Sequence, residues 1–309
     1  MSATTPTGRP LQAGSDRRSC LLTLFVIVGV IVILAGVLVG AAYFFGDVGD
    51  KSFGDGIGVV EIKGIITSSE QTLKTLNLFR HDKRIKAIIL RIDSPGGGVA
   101  ATQEIYREVM KFRQNKKVIA SLGSLAASGG IYIASAADQI LANPGTLTGS
   151  VAVIFQFANY QELFDKVGLK TVVIKSGEFK DIGSPTREMT AKEKKILERL
   201  VKQIHQQFIN DLAKARGLPV EKVAALADGR IFTGEEAVSL GLVDSLGNFE
   251  DAVALAQKMS GLKTRPKLVY PKRKKSWIWD LLTNEGKAKL LPDWFGFPFQ
   301  LQYRYAPGF

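Results

Sequence analysis

One cysteine and two histidines among 309 residues exclude a disulfide framework and a multi-cysteine zinc site, and leave little for a histidine-based metal centre. Acidic residues are also in the minority, 29 against 41 Lys and Arg, for a formal net charge of +12. Such an excess suits a polyanion partner only if it lies on the folded surface. It lies mostly at the ends. Residues 1–45 carry Arg9, Arg17 and Arg18 against Asp16, and residues 263–309 carry ten Lys or Arg against Asp280, Glu285 and Asp293. The 217 residues between have a net of only +3. Nucleic acid is therefore not an expected partner. With 46% hydrophobic residues, the chain is no disordered polymer either.

Charge is absent altogether from Leu21 to Phe45, 25 residues rich in Val, Ile and Leu. As a helix this run reaches about 37 Å, enough for a hydrocarbon core of roughly 30 Å. Gly40-Ala41-Ala42 resembles a cleavage site, but the apolar region of a signal peptide runs only about 7–15 residues. An uncleaved anchor over 21–45 is expected. Three arginines precede it and only Lys51 follows closely, so the positive-inside rule puts residues 1–20 in the cytoplasm and residues 46–309 across the membrane. Gly36 and Gly40 share a face and offer a weak signal for helix–helix contact. Cys20 stands at the cytoplasmic edge, so the exported part has no cysteine and must be held by its core.

After a Gly/Asp-rich linker over 46–56, apolar β-branched runs alternate with helical patterns over 57–262. Val59–Ile62, Ala87–Ile92, Lys117–Ser121, Val151–Ile154 and Thr171–Ile174 read as strands. Glu70–Phe79, Ala100–Phe112 and Ser128–Ala136 read as helices. The alternation predicts an α/β fold with a largely parallel sheet. Thr190 with Glu193 forms a capping box before an apolar stripe from Ile196 to Leu212, and Thr233 with Glu236 repeats the signal before a helix ending at Gly241.

Two glycine-rich segments follow strands. In Asp93-Ser94-Pro95-Gly96-Gly97-Gly98, three consecutive glycines exceed what a turn needs and suit a backbone whose N–H groups face a ligand. No Gly-Lys-Ser/Thr follows, so a phosphate loop is disfavoured. In Gly123-Ser124-Leu125-Ala126-Ala127-Ser128-Gly129-Gly130, Ser128 is either a helix N-cap or a nucleophile whose small neighbours admit a substrate, with the Gly129 N–H helping to form an oxyanion hole. Neither His81 nor His205 sits in a motif. The other available base is a lysine kept neutral by burial, and composition does not choose among the lysines.

The four ordered segments 93–98, 124–130, Leu147-Thr148-Gly149-Ser150 and Lys175-Ser176-Gly177-Glu178-Phe179-Lys180-Asp181-Ile182 together resemble the signal peptide peptidase A family. These are membrane-anchored bacterial Ser–Lys peptidases, here in the short, single-copy form. The likeness is collinear from about Val59 to Leu246, and Ser184 to Thr190 and Asp228-Gly229-Arg230 extend it. The resemblance implies stacked ββα units of the Clp protease/crotonase type. It implies Ser128 as nucleophile, Lys180 as general base and Ser150 as the serine that orients the lysine. Gly97 and Gly129 would supply the oxyanion-hole amides, with Gly96 as the alternative to Gly97. It further implies a ring-shaped homo-oligomer and released signal peptides left in the membrane as substrates. Other membrane-associated proteins are alternative substrates, and a non-catalytic scaffold of the same fold is the alternative function. A crotonase-type acyl-CoA enzyme would share the glycine hole but not the exported location. No cofactor or metal is expected.

The final 34 residues hold nine of the 27 aromatics beside Lys272-Arg273-Lys274-Lys275. This basic aromatic tail, over 263–309, is expected to pack on a neighbouring copy, to remain flexible or to meet a bilayer surface.

Overall fold

The computed structural model describes residues 16–45, 55–271 and 302–304. The linker up to Gly54, Arg9 and the aromatic cluster from Trp277 to Phe299 lie outside the described residues. The chain divides into two units, Met1–Phe53 and Gly54–Phe309. In the first, helix α1 spans Asp16–Phe45. Its stretch Leu22–Gly40 is long and apolar enough to cross a membrane.

The second unit is built on one mixed sheet. Strands β1 (Gly56–Lys63), β2 (Ile85–Ser94) and β4 (Lys117–Ala127) form its parallel centre. β6 (Leu147–Gly149) continues the sheet parallel to β4, and β7 (Ile231–Thr233) closes that side antiparallel to β6. On the other side β9 (Lys267–Val269) runs parallel to β1, so the sheet takes in residues beyond 262. A branch adds β5 (Gln139–Ala142) beside the start of β4, then β8 (Ser245–Leu246).

Side chains two apart on a strand share a face, and the central strands sort their apolar residues accordingly. Ile88, Leu90 and Ile92 of β2, with Val118, Ala120 and Leu122 of β4, enter the larger core. Ala87, Ile89 and Ile119 enter a smaller core on the other side. The larger one is covered by α2 (Glu70–His81), α3 (Val99–Phe112), α4 (Gly129–Ser135) and α6 (Ala191–Arg216). The smaller one is covered by α9 (Phe249–Met259) through Ala252, Val253 and Ala256. Each fully buried Ile or Leu contributes about 1.5–3 kcal/mol, so these strands are the most firmly held part of the molecule.

Both capping boxes form as read, on α6 and on α8 (Gly234–Leu240), and both helices end at a left-handed glycine, Gly217 and Gly241. Tyr132 of α4 stacks on Tyr106 of α3 at 4.9 Å and meets Phe208 of α6 edge-on at 4.5 Å. Its hydroxyl donates to Asp211. The helix that opens at Gly129 is thereby fixed against two neighbours.

Two of the expected strands are not strands. Val151–Ile154 holds only an isolated bridge residue at Ile154, and Thr171–Ile174 is irregular. The segment between β6 and α6 contains one short helix, α5 (Gln161–Lys166). From Asp165 to Lys180 every residue is exposed, including Val172 at 84% and Ile174 at 97%. The β-branched pattern is real, but no described strand pairs with it.

Candidate active site

The site grows out of the ends of β4 and β6. These strands run in parallel register, with Ala127 opposite Gly149, so the next residues, Ser128 and Ser150, leave the sheet side by side. The Ser128 amide donates to the Gly149 carbonyl at 2.8 Å, and the Ser150 amide to the Arg230 carbonyl at 2.7 Å. Both serines have positive φ, +54° and +52°, and no other non-glycine residue among those described does. A non-glycine residue held in a sparsely populated backbone region costs about 1–3 kcal/mol. Two adjacent ones at the mouth of a parallel sheet are the kind of outlier from which a functional site is inferred.

Ser128 is not an N-cap. Its backbone carbonyl accepts from Tyr132 at the first turn of α4, but its side chain makes no capping bond. Its Oγ is buried and without a hydrogen-bond partner. The sharp turn at φ +54°, ψ −113° points the hydroxyl away from the helix amides it would otherwise cap. The Gly129 amide, first of α4, has no intrahelical acceptor. Gly130 fits closely, because a Cβ there would lie 3.0 Å from the Ser94 carbonyl oxygen and push it aside by a few tenths of an ångström.

The triple glycine is a short strand, β3 (Gly96–Gly98). Ile66 donates to the Gly96 carbonyl at 2.9 Å and accepts from the Gly98 amide at 2.8 Å. Backbone groups alternate sides along a strand, so the N–H and C=O of Gly97 face away from Ile66. A Cβ on Gly97 would lie 2.2 Å from the Ile66 carbonyl oxygen, and only glycine permits that approach. Ser94 braces the turn into β3: its buried hydroxyl donates to the Gly64 carbonyl at 2.6 Å and accepts from the Gly96 amide at 3.1 Å. The sequence reading included Ser94 in the motif and gave it no role.

The free side of β3 is occupied by the chain's own end. Strand β10 (Gln302–Arg304) runs antiparallel to it, with Gln302 opposite Gly98, Tyr303 opposite Gly97 and Arg304 opposite Gly96. The glycine strand thus accepts an extended chain.

The lysine expected as base is elsewhere. Lys180 is exposed and makes no side-chain hydrogen bond or ion pair with a described residue, so one chain does not join it to Ser128 or Ser150. It sits in a run of turns in which the Lys180 amide donates to the Gly177 carbonyl and the Ile182 amide to the Phe179 carbonyl, each at 3.2 Å. What holds this run is an ionic cluster that sequence reasoning missed. Lys175 and Arg187 both engage the Asp181 carboxylate, and Arg187 also engages Glu193 of α6. Hydrogen bonds from Arg187 and then Lys175 hold the Asp181 carboxyl well below the usual carboxylate range. Arg187, with the Thr190 amide, lowers Glu193 to about 2. The residues were visible in the Lys175–Ile182 and Ser184–Thr190 motifs, but their partnership depends on how the turns fold.

The histidines stay outside this chemistry. His81 Nδ1 lies 2.9 Å from the Asn77 carbonyl oxygen on the exposed end of α2. His205 Nε2 lies 3.2 Å from the carbonyl oxygen of Val151, next to Ser150 but bonded to backbone rather than to either serine.

Comparison with known proteins matches much of the second unit. Residues 110–263 match peptidase family S49, and residues 61–146 match Clp protease. A Synechocystis sp. protein named as a protease is 46% identical over 205 residues, 66% of this chain and 74% of that protein. A chloroplastic serine protease of Arabidopsis thaliana, named SPPA, is 33% identical over 234 residues, 75% of this chain and 35% of the relative. An Enterococcus faecium protein named as a signal peptide peptidase is 37% identical over 187 residues, 60% of this chain and 54% of the relative. The chain belongs to peptidase family S49 and has a Clp protease-like α/β domain, a serine protease scaffold preceded by an apolar helix.

Proposed function

We propose that this protein is a membrane-anchored serine endopeptidase working through Ser128 and Lys180. The observation that carries the reading is the Ser128 Oγ: buried, unpartnered and held on left-handed backbone beside Ser150. Neutral Lys180 takes the Ser128 proton as Oγ bonds to the peptide carbonyl carbon. The Gly97 and Gly129 N–H groups receive the oxyanion. Collapse breaks the C–N bond, and the lysine ammonium gives its proton to the leaving amine. Lys180 then deprotonates a water, which attacks the ester and releases the acid product and the free serine. Ser150 orients the lysine amine. No metal or cofactor enters the scheme.

Because Lys180 and Ser128 are unjoined within one chain, the dyad is assembled between copies. The exposed run from Asp165 to Lys180, apolar at Val167, Leu169, Val172 and Ile174, supports an interface there, since such residues are ordinarily covered. Repetition of this head-to-tail contact closes a ring. Helix α1 anchors each copy, with the N-terminus in the cytoplasm and the peptidase domain across the membrane. Extended apolar peptides at the bilayer, released signal peptides foremost, are the substrates. The pairing of Gln302–Arg304 with β3 supports recognition of an extended backbone.

A fluorophosphonate probe is expected to label Ser128, read by peptide mass spectrometry, with no label on the Ser128→Ala protein. Equal labelling of both would overturn the assignment of the nucleophile.

A further inference from the structure

The turns that carry Lys180 belong to no strand. The Tyr160 amide donates to the Pro185 carbonyl at 2.6 Å on one side, and on the other the guanidinium of Arg187 spends all five donors. Nε donates to Asp181 Oδ2 at 2.9 Å. One terminal nitrogen, Nη1, donates to the Glu188 carbonyl at 3.0 Å and to Glu193 Oε2 at 2.9 Å. The other, Nη2, donates to the Asp181 carbonyl at 3.2 Å and to Glu193 Oε1 at 2.5 Å. Glu193 is itself 2% exposed and fixed as the third residue of α6, where it also accepts from the Thr190 amide at 2.8 Å. Arg187 therefore ties the residue next to Lys180, through both side chain and backbone, to the start of a 26-residue helix.

We propose that Arg187 is a positioning residue for Lys180, fixing the turn that presents the amine and cancelling the charge of Asp181 beside it. The second effect follows from what a lysine base requires. A nearby carboxylate favours the ammonium form, and a nearby cation disfavours it. Asp181 directly follows Lys180 in the chain. Arg187 and Lys175 both bind that carboxylate, so its charge is compensated where it arises. Of the other acidic groups on these turns, Glu178 pairs with Lys192 at 3.1 Å, and Glu188 is exposed to solvent. Loss of Arg187 uncovers Asp181 and Glu193 and removes a cation, and every one of these changes raises the pH at which Lys180 becomes neutral.

The inference rests on Lys180 being the base, and the test separates the two. The pH dependence of kcat/KM is measured on a chromogenic peptide with the full chain in detergent. In Arg187→Gln, the rise of activity is expected about half a pH unit or more higher than in wild type, with kcat down about tenfold as the turn loosens. Arg187→Lys keeps the charge and loses the fork, so kcat falls while the rise stays in place. Asp181→Asn is expected to move the rise to lower pH, opposite to Arg187→Gln, and it tests the electrostatic half even if Arg187→Gln misfolds. An unmoved rise in both Arg187→Gln and Asp181→Asn, with Lys180→Ala inactive, would overturn the role of Arg187. Full activity in Lys180→Ala would instead overturn the base assignment itself.

Discussion

The two halves of the site are built to opposite standards. Ser128, Ser150 and the glycines of β3 project from the best-packed part of the sheet, and Ser128 and Ser150 are 1% and 6% exposed. Lys180 ends a run of 16 consecutive exposed residues with no strand and little apolar contact. The first half is organised by its own core before any partner arrives. The second is ordered locally, by ion pairs to α6, and has apolar side chains still facing outward. On the proposed mechanism the nucleophile is finished within one fold, whereas the base is presented on an exposed surface. That reading predicts hydrolysis that depends on assembly.

The sharpest way to break that contrast is complementation. Ser128→Ala and Lys180→Ala should each lose turnover by about a thousandfold or more. When the two are co-assembled by mixing in detergent, activity should reappear, because a mixed interface contains one intact serine and one intact lysine. Mixtures as inactive as their components would place the dyad within a single chain. Next in size is Gly97→Ala. Its Cβ would meet the Ile66 carbonyl oxygen at 2.2 Å, so β3 must shift, and a loss of about a hundredfold in kcat is expected, with the melting temperature showing that the domain still folds.

Ile174→Asp should act on the other half. It places a charge in the face assigned to the neighbouring copy, and size-exclusion chromatography with light scattering should show smaller species at the same concentration. An unchanged mass would exclude that face from the interface. The smallest effect belongs to the chain's end. Deleting residues 301–309 removes the strand paired with β3, and KM for a short peptide should fall a few-fold with kcat unchanged. A KM that does not move would mean that β10 and substrate do not share the glycine edge.

Much of the first half was legible in the sequence. Ile88 to Ile92 and Val118 to Ser121 are β-branched or apolar runs, and burial on both faces of a parallel sheet demands that pattern. The serine motif also stood out, because small residues cluster around Ser128 beyond what a helix cap needs. Less legible was the extension of β4 to Ala127, since Gly123, Ala126 and Ala127 carry little strand propensity and are held by register with β2 and β6. Helix α9 escaped notice because its box is Asn248 with Asp251 rather than the Ser/Thr and Glu/Gln form. Thr171–Ile174 misled for the reverse reason: an apolar β-branched run has strand propensity, but here it stays exposed and irregular. Gly97 against Ile66, β10 against β3 and Arg187 against Asp181 are meetings of backbone and turns, which residue spacing does not encode.

The left-handed serines have a consequence for how such a protein drifts. At φ +54°, ψ −113°, Ser128 occupies a region that glycine enters freely and other residues enter at a cost. Ser128→Gly would relieve that strain and remove a buried hydroxyl without a partner, so the inactive variant should melt a few degrees higher than the active one. On the proposed mechanism, a lineage released from the need to hydrolyse would gain stability by losing the Ser128 hydroxyl. Serine at that position is a residue that stability alone would not select.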